Sequence, residues 1–167
     1  MELNELFLKT AFSCMACDGE IASEELELVK QYAIASTLFE GLDIEGKLNE
    51  YVAEINDKGQ SFLAGYISNI ENAQLNEQEE LILAQVAIRM IEADNKIEYS
   101  EISFFKRIRS KLCVTDEKLI DIFKDETLFE KFPEVEPDDF LLPDIRVLDN
   151  VDWNVTFENI KLSLELS

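Results

Sequence analysis

The chain contains no histidine. That removes Ser-His-Asp and Cys-His catalysis, and imidazole metal ligands with them. Cysteine is scarce: Cys14, Cys17 and Cys113 are the whole set. A small odd number argues against a disulfide framework and for a reducing compartment. Proline is as rare, and Pro133, Pro137 and Pro143 all lie near the C-terminus. Nothing before them carries the residue that most strongly breaks a helix. Basic residues number 15 against 36 acidic ones, a formal charge of −21. Such a surface repels phosphate backbones and anionic membranes, so nucleic acid is not expected as a direct partner. Cations or basic protein surfaces suit it better, and much of the charge is expected to form a plain solvated face. No apolar run approaches the ~20 residues that span a bilayer, so membrane insertion is not expected either. Met1-Glu2-Leu3-Asn4-Glu5 lacks the basic and apolar regions of a signal peptide. The expected location is the cytoplasm.

What is present is helical periodicity. With 167 residues and 47% apolar content, the chain has room for a real core. Over residues 2–17, Leu3, Leu6, Phe7, Thr10, Ala11, Cys14 and Cys17 recur at spacings of three and four, predicting a first helix. Residues 23–39 predict a second on Leu26, Val29, Ala33, Ser36 and Leu38, stopped by Gly41. Residues 43–57 predict a third on Ile44, Leu48, Tyr51, Val52 and Ile55. Residues 60–72 predict a fourth on Phe62, Leu63, Tyr66, Ile67 and Ile70, with Gly59 between the two. Gly46 and Gly65 each cost about 1 kcal/mol inside these helices. Asn76 and Glu79 read as an N-cap and capping-box pair. They open a fifth helix, to Ala93, on Leu81, Ala84, Ala87, Ile88 and Ile91. A sixth, 99–112, uses Ile102, Phe105, Ile108 and Leu112; Thr115 or Asp116 caps a seventh on Leu119, Ile120, Phe123 and Leu128. The expected fold class is all-α, a bundle of about seven helices over residues 1–132.

One short stretch occurs twice. Cys17-Asp18-Gly19-Glu20-Ile21-Ala22-Ser23-Glu24-Glu25 joins the first two helices. Ala93-Asp94-Asn95-Lys96-Ile97-Glu98-Tyr99-Ser100-Glu101 joins the fifth and sixth. Gly19 and Asn95 are the residue types that best tolerate positive φ, which a helix needs to end in a left-handed cap. Each copy therefore reads alike: a helix ends at an Asp, the chain turns, an Ile plugs inward, and a helix starts with a Glu in its first turn.

These paired motifs resemble the tellurite-resistance TerB family and the related N-terminal domain of DjlA co-chaperones. The matching residues are Ala16, Asp18, Gly19, Ile21, Glu24 and Glu25, then Ala93, Asp94, Ile97 and Glu101. The resemblance covers roughly residues 1–125. It implies a helical bundle with two hairpins related by a pseudo-twofold. It also implies a non-enzymatic stress-response module in which acidic residues come together as a metal site. The N-cap positions depart from the family pattern, holding Ala22 and Glu98, and Asn95 replaces the second Gly. A J-domain requires a His-Pro-Asp triplet, so the co-chaperone role does not carry over.

Asp18, Glu25, Asp94 and Glu101 are the candidate metal ligands. Carboxylate oxygens suit Ca²⁺, Mg²⁺ or Mn²⁺. The competing expectation is that Glu25 and Glu101 simply serve their helix N-termini, while Asp18 and Asp94 organise their turns. No EF-hand is present, because the turn is too short for that loop of about 12 residues. Cys14-Met15-Ala16-Cys17 is a C-x-x-C that closes a helix. The dipole there raises a thiol pKa, and two small core residues are expected instead of a redox pair. Lys106, Arg107, Arg109 and Lys111 are nearly the only positive cluster, a solvated face or a dock for an acidic partner or for the chain's own tail. Three function classes stay open. They are a TerB-like module with an unknown protein partner, a metal-dependent hydrolase on the same carboxylates, and a purely structural protein-binding domain without metal.

Residues 133–167 form the expected second segment, a non-helical acidic extension. From Val151 the apolar residues alternate: Val151, Trp153, Val155, Phe157, then Ile160, Leu162, Leu164 and Leu166. A two-residue loop at Glu158-Asn159 pairs them on one face of a β-hairpin. A lone hairpin is marginal in water, so it is expected to lie on the bundle, with the nine carboxylates of residues 134–167 near the basic helix.

Overall fold

The structure is a computed structural model, and it describes residues 1–93 and 95–142. The described residues form nine helices and no strand: α1 (Leu3–Ala16), α2 (Ser23–Ala35), α3 (Ile44–Lys58), α4 (Gln60–Ala73), α5 (Glu77–Glu92), α6 (Tyr99–Arg109), α7 (Asp116–Asp125), α8 (Leu128–Lys131) and α9 (Pro137–Leu141). The all-α bundle is as expected. The two short helices, α8 and α9, are additional to the seven that periodicity reaches, because one turn of helix is too short to show a period. The hairpin expected over residues 151–167 lies outside the described residues.

α1 is the central helix. From Leu6 to Ala16 every residue but Lys9 is buried. Leu8, Phe12 and Met15 lie off the expected stripe and are buried as fully as Leu6 and Cys14. A helix that is apolar nearly all round belongs inside, and α1 packs on α3, α4, α5 and α6. One buried hydroxyl pair ties it down. The Tyr66 hydroxyl donates to Thr10 Oγ1 at 2.6 Å, and Thr10 Oγ1 donates to the Leu6 carbonyl at 2.8 Å. α3 and α4 cover one side through Phe12, Tyr51 and Phe62, whose ring centroids stand 5.5–5.9 Å apart.

The two helix glycines differ in kind. Gly46 lies beneath the Asp43 cap, whose carboxylate accepts from the Gly46 N–H at 3.1 Å, and a Cβ there would clash with that carboxylate. Gly65 is exposed, with open space where a Cβ would be. Gly65→Ala is therefore expected to stabilise the chain by about 1 kcal/mol in a denaturant titration, and Gly46→Ala to give no gain.

α2 is shorter than its periodicity suggests. Ser36 is extended, its hydroxyl donating to the Tyr32 carbonyl and accepting from the Leu38 N–H, so the helix stops at Ala35. Ala33 and Ser36 face solvent, and Phe39, off the expected stripe, is buried.

Between Phe132 and Leu142 the chain stays on the bundle, and residues 137–141, expected as part of a non-helical extension, form a short helix. Pro137 opens α9 at a position where a missing N–H costs nothing. α9 packs on α6 and α7 and buries Phe140 among Phe105, Phe123 and Phe129 at centroid distances of 5.5–6.2 Å.

Glu80 was not singled out by its neighbours in sequence, yet it is buried. Its Oε1 accepts from the Cys113 N–H at 2.7 Å and the Val114 N–H at 3.0 Å, fastening α5 to the α6–α7 connection. Its position was the one signal: it lies on the Leu83–Ala84–Ala87 stripe, where a carboxylate needs a partner. Glu80→Ala is expected to cost about 2–3 kcal/mol by chemical denaturation, since it strands two N–H groups.

Candidate functional site

The two turns match at the backbone positions described in both. Gly19 and Asn95 both take positive φ, 88° and 64°. Each donates its N–H three residues back, Gly19 to the Ala16 carbonyl at 2.9 Å and Asn95 to the Glu92 carbonyl at 3.2 Å. Ala22 and Glu98 then stand at the N-caps with φ/ψ of −80°/149° and −87°/151°. Neither cap residue's side chain caps its helix. The work falls to the third helical residue: Glu25 Oε1 accepts from the Ala22 N–H at 2.8 Å, and Glu101 Oε1 from the Glu98 N–H at 2.8 Å. Both glutamates are buried, 5% and 3% exposed. Ile21 and Ile97 pack against the core from matching positions.

The turns lie at one end of the bundle. Lys96, from the second, lines the same cavity of about 310 Å³ as Asp18, Glu20 and Glu25 from the first. α1 and α5, which pack side by side, thus run parallel into their turns. Asp18 is half-buried and its Oδ1 accepts from the Glu20 N–H at 3.0 Å. Burial raises its pKa above the ordinary carboxylate value, partly offset by that N–H.

Asp18 and Glu25 line that cavity, and Glu25 and Glu101 both act on the thiols of Cys14 and Cys17. Asp94 lies outside the described residues. Hard oxygen donors suit a divalent cation in type. Among the described residues, however, no three His, Cys, Asp or Glu side chains form a metal-holding group. One oxygen each of Asp18, Glu25 and Glu101 is already taken by a backbone N–H.

Cys14 and Cys17 are free thiols, both buried at the end of α1. Burial, then the Glu101 and Glu25 carboxylates near Cys14, push their pKa values well up. The basic cluster on α6 is not one surface. Arg107 is buried. Arg109 pairs with Asp116 at 2.9 Å and also donates to the Leu112 carbonyl at 3.1 Å, and Lys111 pairs with Glu71 at 3.4 Å.

A second group escaped the sequence. Arg89, on α5, lies over the Tyr32 ring at 5.6 Å, donates to the Tyr32 hydroxyl at 3.1 Å and pairs with Glu126 at 2.9 Å. It pins α2 to α5 and α7. Beside it a groove of about 770 Å³ opens between α2 and the end of α5. Set against family models, curated proteins and solved structures, the chain matches none of them. No helix among the described residues is long and apolar enough to cross a membrane.

Proposed function

We propose that the chain is a non-enzymatic interaction module of TerB-like type, acting through protein contacts and tuned by a divalent cation at its paired acidic turns. The supporting observation is the repetition of one turn geometry at one end of the bundle, on the residues that carry the resemblance. Asp18, Glu25, Asp94 and Glu101 would hold the ion, which supplies positive charge where carboxylates meet. A cytoplasmic stress-response role of the tellurite type comes with that resemblance. The absence of histidine from the whole chain disfavours the hydrolase reading, because no imidazole can serve in proton transfer.

Thermal melting at low ionic strength tests the cation. The expected result is a rise in melting temperature when EDTA is replaced by excess Ca²⁺, Mg²⁺ or Mn²⁺. A native-state ligand at 100 times its Kd contributes about 2.7 kcal/mol. Asp18→Asn with Asp94→Asn abolishes the rise and keeps the helix content. A wild type indifferent to all three ions leaves Glu25 and Glu101 as caps and the chain as a structural protein-binding domain. A double variant that keeps the rise puts the ion elsewhere.

A further inference from the structure

A cavity of about 380 Å³ opens where α6 and α9 meet. Lys106, Arg109 and Leu112 line it from α6 and the turn after it, Asp116 from the start of α7, and Leu141 and Leu142 from the end of α9. Its charge sets it apart. The grooves at α2 and at the paired turns are lined mainly by carboxylates. Here two cations stand against one acid, in a chain of net charge −21. The basic cluster narrows at this point to one unengaged charge. Arg107 is buried, Arg109 is held by Asp116 and the Leu112 carbonyl, and Lys111 pairs with Glu71. The half-buried Lys106 ammonium makes no ion pair or hydrogen bond among the described residues. The apolar wall is uncovered as well, since Leu142 is 56% exposed. The residues that come next in the chain, Pro143-Asp144-Ile145-Arg146-Val147-Leu148, carry both missing parts: a carboxylate at Asp144 and three apolar side chains. Leu142 is extended, with φ −71° and ψ 130°, as a residue before proline prefers to be. Two further residues reach up to about 7 Å, which keeps Asp144 in range of the cavity that Leu142 itself lines.

We infer that this cavity is the seat of the chain's own residues 143–148, with the Asp144 carboxylate on the Lys106 ammonium and the apolar residues over Leu141 and Leu142. Successive residues of an extended chain point to opposite sides, so a run that turns Asp144 toward α6 turns Ile145 toward α9. The contact is narrower than a general attraction between an acidic tail and a basic helix, because it uses one cation and one carboxylate. It also acts as a built-in cover. A segment tethered beside its seat has an effective concentration on the order of millimolar, and a partner that uses this face has to displace it. The contact is independent of any cation at the paired turns.

The test uses the full chain, as an equal mixture of isotope-labelled and unlabelled protein. A carbodiimide joins an amine to a carboxylate only where the two touch, and mass spectrometry is expected to find Lys106 joined to Asp144 within one chain. In hydrogen exchange, the amides of residues 144–148 are expected to exchange at least about tenfold more slowly than in an unstructured peptide. Lys106→Glu returns them to the unstructured rate, and Asp144→Asn, on the other side of the pair, does the same. Lys58→Glu, on α3, leaves them slow. Helix content confirms that the three variants fold. Unstructured exchange rates in the wild type overturn the inference. Slow exchange that survives both Lys106→Glu and Asp144→Asn overturns it too, because other residues then hold the segment. Cross-links from Lys106 to Asp116 alone leave Asp144 elsewhere and overturn the pair. Cross-links between labelled and unlabelled chains overturn it in favour of a second copy of the protein on this face.

Discussion

In the folded protein, Cys113 is expected to react with a thiol reagent such as DTNB, and Cys14 and Cys17 are expected to stay unlabelled on that timescale. Cys113 is exposed and the other two are buried. Reaction needs a thiolate, and three influences oppose one at the end of α1. Burial acts most strongly. The carboxylates of Glu101 and Glu25 repel a further negative charge nearby. The C-terminal end of a helix, where backbone carbonyls converge, repels it again. Cys17 in addition donates its S–H to the Cys14 carbonyl at 3.3 Å. Mass spectrometry of the labelled chain should find one fast site and two that label at least about a thousandfold more slowly, at the rate of opening. All three label together in denaturant. Equal native rates would show that the C-x-x-C is a working dithiol. The same shifts fix a pH dependence. A thiol that holds its proton more tightly folded than unfolded contributes stability in full below the ordinary value of 9.0, and that contribution is lost as pH rises above it.

The burial of this pair is legible in the sequence, because both cysteines fall on the apolar stripe of the first helix. The same holds for most of the bundle. Asn76 and Glu79 make the full reciprocal capping box, at 2.8 and 2.9 Å. Gly19 and Asn95 take the left-handed conformation for which their residue types suit them. Local chemistry decides such features. Three kinds of feature were not legible. The end of α2 turns on a Ser36 hydroxyl competing for the Tyr32 carbonyl, a contest that composition does not settle. Arg89 and Tyr32 meet across two helices far apart in sequence, and periodicity places each on a face without saying what the face opposes. Glu80 carries a charge on an apolar stripe, and only the tertiary fold shows which N–H groups it serves. The candidate metal site falls between these cases. The turns repeat and come together as their sequences suggest, but whether their carboxylates share an ion depends on distances that no spacing sets.

Phe140→Ala should be among the most damaging single changes in the chain. The side chain is fully buried, 0% exposed, and its ring meets Phe105, Phe123 and Phe129. Truncating a buried Phe costs about 3–5 kcal/mol, from the lost transfer of the ring plus the cavity it leaves. For a chain of this size that lowers the melting temperature by about 10 °C. Leu142, two residues on but 56% exposed, serves as the comparison, and Leu142→Ala should fall within about 0.5 kcal/mol of wild type. Truncation then separates the contribution of α9 from that of residues 143–167. A chain ending at Phe132 lacks α9 and uncovers Phe105 and Phe123, so it should melt at least as early as Phe140→Ala and bind ANS. A chain ending at Leu142 keeps α9. If α9 is the element that closes the aromatic end, this chain melts with the full-length protein. If residues 143–167 lie on the bundle as their alternating Val, Trp, Phe, Ile and Leu residues suggest, it melts earlier and exposes apolar surface of its own. The gap between the full-length chain and the one ending at Leu142 measures what the hairpin pattern contributes, independently of the ring that Phe140 places in the core.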